Sequence, residues 1–486
     1  MSIQTDPPRR LSPADLRKDI LGIDLEVPLL GGGRTRYVFL DNAASTPALG
    51  RVWRRVSDFL PLYSGVHRGT GFKSLLATEV YDAAHDTVGR FVGADLSRNT
   101  VIFTKNTTEC VNKLAHRLGL DQESLVVTTV MEHHSNDLPW RRHGRLIHTG
   151  VTPEGRVDPD QLRRVLRTHA GKVRLVAVSG ASNITGICTP VHDIARWAHE
   201  AGALLFVDAA QLAPHRPIDM LPDDDPGHID FLALSAHKMY APFGTGALIG
   251  PKAFFREGAP DMVGGGVVEI VTLDEAVWNA PPHRDEAGSP NVVGGVALAA
   301  AAETLTAAGM ENVARHETEL LVYAYGRLRA MNRIVLYGPT DDPAGKVGTI
   351  TFNVEGMHHA LVAAVLGAEG GIGVRNGCFC AHPYVKHLLG VTPEEDRRLT
   401  AEVMGGNKSN MPGMVRASLG CYSTQEDLDA LFGMLERVVA GDIRGTYRQD
   451  ARTGAFIPEG FDYDFARFYP HLGGVRAEAR DHSETS

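Results

Sequence analysis

The sequence predicts an α/β protein: a large domain built on a mostly parallel sheet, then a smaller α+β C-terminal domain. Three observations carry this. Between residues 36 and 300, short apolar runs alternate with amphipathic helical stretches, the pattern of a parallel sheet covered on both faces. Several of those runs end in polar, chemistry-bearing residues. Beyond 300, long Ala/Leu/Glu-rich helix gives way to mixed strand and helix.

In chain order, residues 1–35 read as an N-terminal arm ending at Gly31-Gly32-Gly33. Residues 36–300 form the large domain, with strands expected at Thr100–Phe103, Ser124–Thr129, Val173–Ser179, Ala203–Val207 and Phe231–Ser235. Leu298–Met331 reads as one or two long helices leading into a small domain over 301–440. That domain has a strand at Thr349–Val354 and a helix at Gln425–Val439. Residues 441–486 lack periodicity and read as an extension packed on the surface.

Composition narrows the class. The 486 residues suffice for two or three domains. A formal charge of −9 offers no basic patch and argues against nucleic-acid binding. Five cysteines in so long a chain do not suggest a disulfide scaffold. Met1–Asp24 has no apolar signal-peptide core, and no run reaches the roughly 18 apolar residues of a membrane span. A cytoplasmic protein with no membrane partner is expected.

Two strand ends say most about chemistry. Phe231–Ser235 runs into Ala236-His237-Lys238, then into Pro242, Gly244 and Gly246, which places one amine on a tight loop at the end of a buried strand. A lysine there can lose its proton and form a Schiff base; a surface lysine after a strand is the plainer alternative. Ala203–Val207 ends in Asp208, and ligands of open α/β sheets sit at such strand ends. An Asp to hold a pyridine nitrogen protonated and a Lys to hold an aldehyde are what pyridoxal 5'-phosphate needs. A helix cap would explain Asp208 alone, but not the pairing.

Weaker signals join the same rim. Thr107 and Thr108 follow Val101–Thr104 at a helix start, which reads as a phosphate site or as a capping box. His133 offers an imidazole to stack on a cofactor and move protons, and Asn183 offers an amide or a turn. In the Gly-rich loop around Gly377, Arg375 near Cys380 favours a thiolate. Cys378 and Cys380 do not complete a zinc-like spacing, so no metal is expected; two inert buried thiols remain an alternative.

Together these residues resemble fold-type I pyridoxal-phosphate enzymes of aminotransferase class V, and within them the cysteine desulfurases and selenocysteine lyases, over roughly 36–440. The resemblance rests on Leu40-Asp41-Asn42-Ala43-Ala44-Ser45-Thr46-Pro47, Val66-His67-Arg68-Gly69, Met131-Glu132-His133-His134, Val207-Asp208-Ala209-Ala210-Gln211, Ser235-Ala236-His237-Lys238 and Glu286-Ala287-Gly288-Ser289-Pro290-Asn291. It implies that Lys238 binds the cofactor and serves as base, and that Asp208 pairs with the ring nitrogen. Gln211 and Asn183 contact the ring oxygen, while His133 stacks on the ring and shuttles a proton. Thr107, Thr108, Ser235 and His237 hold the phosphate, with Ser289 completing that cup from a second subunit of a homodimer. Arg416, Asn42, His67 and Arg375 bind substrate, and Cys380 accepts sulfur from L-cysteine for transfer to an acceptor protein.

The chain departs from the pattern in two places. Cys378-Phe379 replaces a His-His pair before Cys380, so that Cys378 becomes a competitor for the sulfur. The 35 residues between Cys380 and Arg416 include an excess around 386–411, read either as a lid or as a segment that displaces the thiol. Other class V reactions (β-eliminating C–S lyase, epimerase, aminotransferase) share Lys238 and Asp208 without needing Cys380. A non-catalytic sulfur carrier needs neither.

Overall fold

The computed structural model describes residues 10–472, so residues 1–9 of the expected arm and 473–486 of the expected extension lie outside the described residues. Seven strands form the central sheet: β1 (Asn99–Thr104), β2 (Leu125–Thr129), β3 (Arg145–Thr149), β4 (Val173–Ser179), β5 (Leu204–Asp208), β6 (Phe231–Ser235) and β7 (Gly246–Pro251). Their order is β1-β7-β6-β5-β4-β2-β3, with β7 alone antiparallel to its neighbours. The strands β3 and β7 are additions to the five expected.

Both faces of the sheet are covered, which is why its strands read as continuous apolar runs. Successive residues point to opposite faces. Val176, Val178, Leu205, Val207, Leu232 and Leu234 enter one core, which also takes helix α1 (Phe72–Phe91). Leu175, Ala177, Phe206, Phe231 and Ala233 enter the other, against α2 (Thr107–Arg117).

The helical stretch after 290 is two helices, α3 (Val292–Ala308) and α4 (Met310–Arg329), bent by 73° at Gly309. Gly309 has φ +79°, a conformation that suits glycine. Met310 and Val313 pack in the large core, whereas Leu320, Leu321, Ala324 and Leu328 pack in the smaller one, so α4 passes from one to the other. The smaller unit is the antiparallel sheet β8 (Ile334–Tyr337), β9 (Thr349–Val354), β10 (Arg375–Gly377) and β11 (Met414–Ser418), in the order β8-β9-β11-β10. It is backed by α5 (His359–Gly370) and α6 (Gln425–Ala440). A capping box at Thr424 starts α6, and left-handed Gly441 stops it.

Two segments lie elsewhere than the sequence suggests. Val38 and Leu40, expected in the large domain, pack in the smaller core, because Val38–Phe39 pairs in parallel with Ile372–Gly373. Part of the extension forms a hairpin, Tyr447–Gln449 with Phe456–Pro458, packed against α5. Among the described residues no single helix is long and apolar enough to cross a membrane.

Candidate active site

Register places the strand ends together. Asp208 pairs with Ser179, and Gly246 pairs with both Ser235 and Thr104. The carboxyl ends of β4, β5 and β6 therefore open on one cavity of about 310 Å³. Lys238 and Asp208 line it, with Gln211, Asn183, His133, Thr107, Thr108, Ser235, His237, Arg375, Cys380 and Arg416. These twelve residues come from segments spread over more than 300 positions of the chain.

Burial sets the protonation of the central pair. It lowers the Lys238 amine to about 8, against the opposing pull of Asp208. It also raises the Asp208 carboxyl, whose Oδ1 accepts the Ala210 N–H at 3.0 Å. A cationic ring nitrogen beside Asp208 would restore its charged form.

At one end of the cavity, Ser235 Oγ accepts the Thr107 N–H at 2.9 Å and lies 2.7 Å from the Thr107 hydroxyl. The capping alternative is half realised: Asn106 caps the helix by accepting the Glu109 N–H, but Glu109 accepts the N–H of Lys105 and not that of the cap residue. This close approach of the α2 start to β6 requires glycine at 246. A Cβ there would meet Asn106 backbone atoms at 2.7 Å and the Leu234 carbonyl at 2.8 Å.

His133 is neutral, since burial, then the Lys238 charge, depresses its imidazole to about 3. The Ser135 N–H donates to His133 Nδ1 at 3.1 Å, which leaves the ring proton on Nε2. The next residue ties this turn to the thiol loop: the His134 N–H donates to the Cys380 carbonyl at 2.7 Å. Asn183 Nδ2 donates to the Phe379 carbonyl at 2.8 Å. Phe379 and Cys380 have φ of +50° and +56°, a strain of about 1–3 kcal/mol each for non-glycine residues. The exposed Cys380 faces the cavity, while Cys378 is buried and donates its thiol proton to the Pro412 carbonyl at 2.9 Å. Burial pushes Cys378 up to about 11 and keeps it a thiol, which removes it as a competing nucleophile.

The segment 386–411 does not displace the thiol, since Cys380 lines the cavity. It contains the helix Pro393–Met404, clamped by the Lys386–Asp396 ion pair, and none of its residues lines the cavity.

Arg416 lies on buried β11 with its guanidinium 4.8 Å from the Phe379 ring centroid. Nη1 donates to the Asn183 carbonyl at 2.8 Å and Nη2 to Asp41 at 3.1 Å, leaving buried Nε without a partner. Gln211 Nε2 donates to the Ala43 carbonyl at 2.5 Å, while its Oε1 is also buried and unpartnered. Both residues line the cavity, and unsatisfied buried polar atoms beside a polar cavity call for an explanation. With the Lys238–Asp208 pair and the donors beside Ser235, the residues present fit pyridoxal phosphate and an amino-acid carboxylate.

Three expected residues do not join the cavity. Asn42 is buried behind it, donating to the Ser418 carbonyl at 2.9 Å and accepting from the Tyr422 hydroxyl at 3.0 Å. It braces β11, not the substrate. His67 and Ser289 instead line a second depression of about 1000 Å³ with Tyr63, Arg68 and Ile270.

The family model described as Aminotransferase class-V matches residues 38–431. A cysteine desulfurase of Haloferax volcanii is 35% identical over 411 residues, covering 83% of this chain and 89% of that one. A probable cysteine desulfurase of Halalkalibacterium halodurans is 35% identical over 406 residues, covering 82% and 92%. Among solved structures, the apo cysteine desulfurase of Thermococcus onnurineus superposes with a TM-score of 0.76 at 31% identity, over 90% of this chain and all of that one. The chain belongs to the class-V aminotransferase family.

Within this class-V site, sequence reading missed Asp41, Ser135 and Ser179. Ser135 and Ser179 line the cavity, and Ser179 donates to buried Glu132 at 2.7 Å. Burial raises Glu132 to about 7. Ser179 was legible as the last residue of a buried strand and Ser135 as the neighbour of His133; Asp41 gave no local signal beyond its motif.

Proposed function

We propose that the chain is a pyridoxal-phosphate-dependent cysteine desulfurase, converting L-cysteine to L-alanine with the sulfur held as a persulfide on Cys380. One observation carries this: an exposed thiol, Cys380, lines the same cavity as the Lys238–Asp208 pair. The relatives named cysteine desulfurase support it.

When bound, the cofactor supplies an electron sink for the Cα carbanion. Asp208 keeps the ring nitrogen charged. The carboxylate of L-cysteine docks on the guanidinium of Arg416, which lines the cavity. The Lys238 amine, neutral in an appreciable fraction near pH 8, takes the Cα proton at Nζ. His133, with its proton on Nε2, is placed to hand a proton on as the carbon–sulfur bond breaks. Cys380 sulfur attacks the substrate sulfur, so one C–S bond breaks, one S–S bond forms, and the thiol proton ends on alanine. The persulfide then passes to a thiol acceptor.

His67 and Ser289 act in the cavity of a second copy. The depression around them carries exposed Tyr63, Ile270 and Val271, which supports a homodimer. We place the enzyme in the cytoplasm.

The test is product analysis with L-cysteine and a reductant, comparing the parent with Cys380→Ser. Alanine and sulfide that are lost in the variant support the proposal. Pyruvate and ammonia unchanged by it would instead mean β-elimination.

A further inference from the structure

The excess segment 386–411 and the C-terminal extension touch each other, and together they reach the thiol loop. The extension's hairpin is fixed at its root. There buried Glu369 of α5 accepts the Arg444 and Gly445 N–H groups, each at 3.0 Å, and the Tyr447 hydroxyl at 3.1 Å. Its tip lies on the end of the segment. The Lys408 N–H donates to the Ala451 carbonyl at 2.7 Å, and Gln449 Nε2 donates to the Ser409 carbonyl at 3.0 Å. Gly454 permits this approach, since a Cβ there would stand 2.8 Å from the Lys408 carbonyl oxygen. Just beyond, His359 Nε2 donates to the Met411 carbonyl at 3.1 Å, and the next carbonyl, that of Pro412, takes the Cys378 thiol proton at 2.9 Å.

The turn after Cys378 depends on its surroundings. Phe379 and Cys380 have positive φ without being glycine, a conformation that persists where neighbouring structure over-determines it. His134 and Asn183 hold the Cys380 and Phe379 carbonyls from the large domain. Cys378 supplies the opposing tether, to the smaller unit. The Ala381 N–H donates to the Cys378 carbonyl at 2.9 Å, so the residue that follows Cys380 is tied to the same anchor. Cys380 itself is exposed, and the place of its sulfur follows how firmly its backbone is held.

We propose that Cys378 is a positioning residue for Cys380: its buried thiol fastens the strained Phe379–Cys380 turn to the Pro412 carbonyl, and the C-terminal hairpin, seated on Lys408 and Ser409, is the outer support of that tether. This deepens the desulfurase reading, on which its chemical consequence rests. A loosened turn holds the Cys380 sulfur against the substrate sulfur for a smaller fraction of the time. The role asks for a hydrogen-bond donor at 378, not for a nucleophile.

The experiment uses the full-length, cofactor-loaded chain and the variants Cys378→Ala, Cys378→Ser and Gly454→Ala. Amide hydrogen exchange of the 378–382 peptide, read by mass spectrometry without substrate, reports on the turn. The rate of persulfide formation on Cys380 with L-cysteine, set beside the half-saturation of the cofactor's absorbance change, reports on the chemistry. Cys378→Ala and Gly454→Ala should each speed exchange and slow persulfide formation about fivefold, the scale of one hydrogen bond, at unchanged half-saturation. Cys378→Ser, whose hydroxyl can donate to the same carbonyl, should restore both. Parental exchange in Cys378→Ala would overturn the tether, as would a serine variant no better than alanine. Should the buried substitution fold poorly, parental exchange in Gly454→Ala, a change at the hairpin turn, would overturn it equally. A parent that forms no persulfide would overturn the desulfurase reading alone, because the exchange rates still test the tether.

Discussion

Asp41 Oδ1 lies 3.1 Å from Arg416 Nη2 and holds one prong of a buried guanidinium that lines the cavity. The same carboxylate takes Arg375 Nη2 at 2.9 Å, so one anion orients two cations at the cavity wall. Burial pulls the Arg416 guanidinium down to about 10 even against the opposing pull of Asp41. Asp41→Asn should therefore raise KM for L-cysteine about tenfold, equivalent to about 1.4 kcal/mol of binding, with a smaller change in kcat. Steady-state kinetics read this directly. An unchanged KM would mean the carboxylate is gripped elsewhere.

The Phe379 ring beneath Arg416 makes a second contribution. Phe379→Leu keeps apolar bulk but removes the cation–π contact, worth about 1 kcal/mol at a desolvated site. A roughly fivefold rise in KM is expected. Loss of kcat alone would instead point to a disturbed thiol loop.

Lys238→Ala should abolish both turnover and the cofactor's yellow colour, as absorbance and product assays would show. Substantial turnover in that variant would sink the assignment.

The same lysine has a pH signature in the cofactor-free protein. Its amine titrates near 8 when folded and near 10.4 in an unfolded chain, so between those values the unfolded state binds more protons and stability rises with pH. Below 8 the full penalty of the buried charge applies. Lys238→Met should thus be more stable than the parent at pH 7, by up to about 3 kcal/mol, with the gap closing from pH 8 to 10. Denaturant titrations at several pH values measure it. A gap independent of pH would contradict a buried ammonium.

Ile270 and Val271 are exposed in the depression that carries Ser289. Ile270→Arg should weaken self-association in sedimentation and lower cofactor retention together. A monomeric variant with full activity would show that Ser289 and His67 are not shared between copies.

Much of the site was legible because fully buried strands read as apolar runs and their last residues as site residues: Asp208, Ser235 and, through its loop, Lys238. What was hidden depended on long-range pairing. Asp41 reaches Arg416 only because Val38–Phe39 joins the smaller unit, and no local periodicity encodes that. Asn42 matched a motif, yet it braces a strand. His67 and Ser289 matched motifs too, but a single chain keeps them apart from the cavity.

Gly246 has a consequence for what the cavity tolerates. Its missing methyl group lets the Gly246 backbone press against the Asn106 backbone on one side and the Leu234 carbonyl on the other, and backbone contacts of that kind cannot yield. The thiol loop, by contrast, hangs on the His134 and Asn183 hydrogen bonds. Cofactor analogues altered at the phosphate should accordingly be rejected far more sharply than amino acids altered at the side chain, and enlarging the chain's substrate range is a matter of reshaping the loop end only.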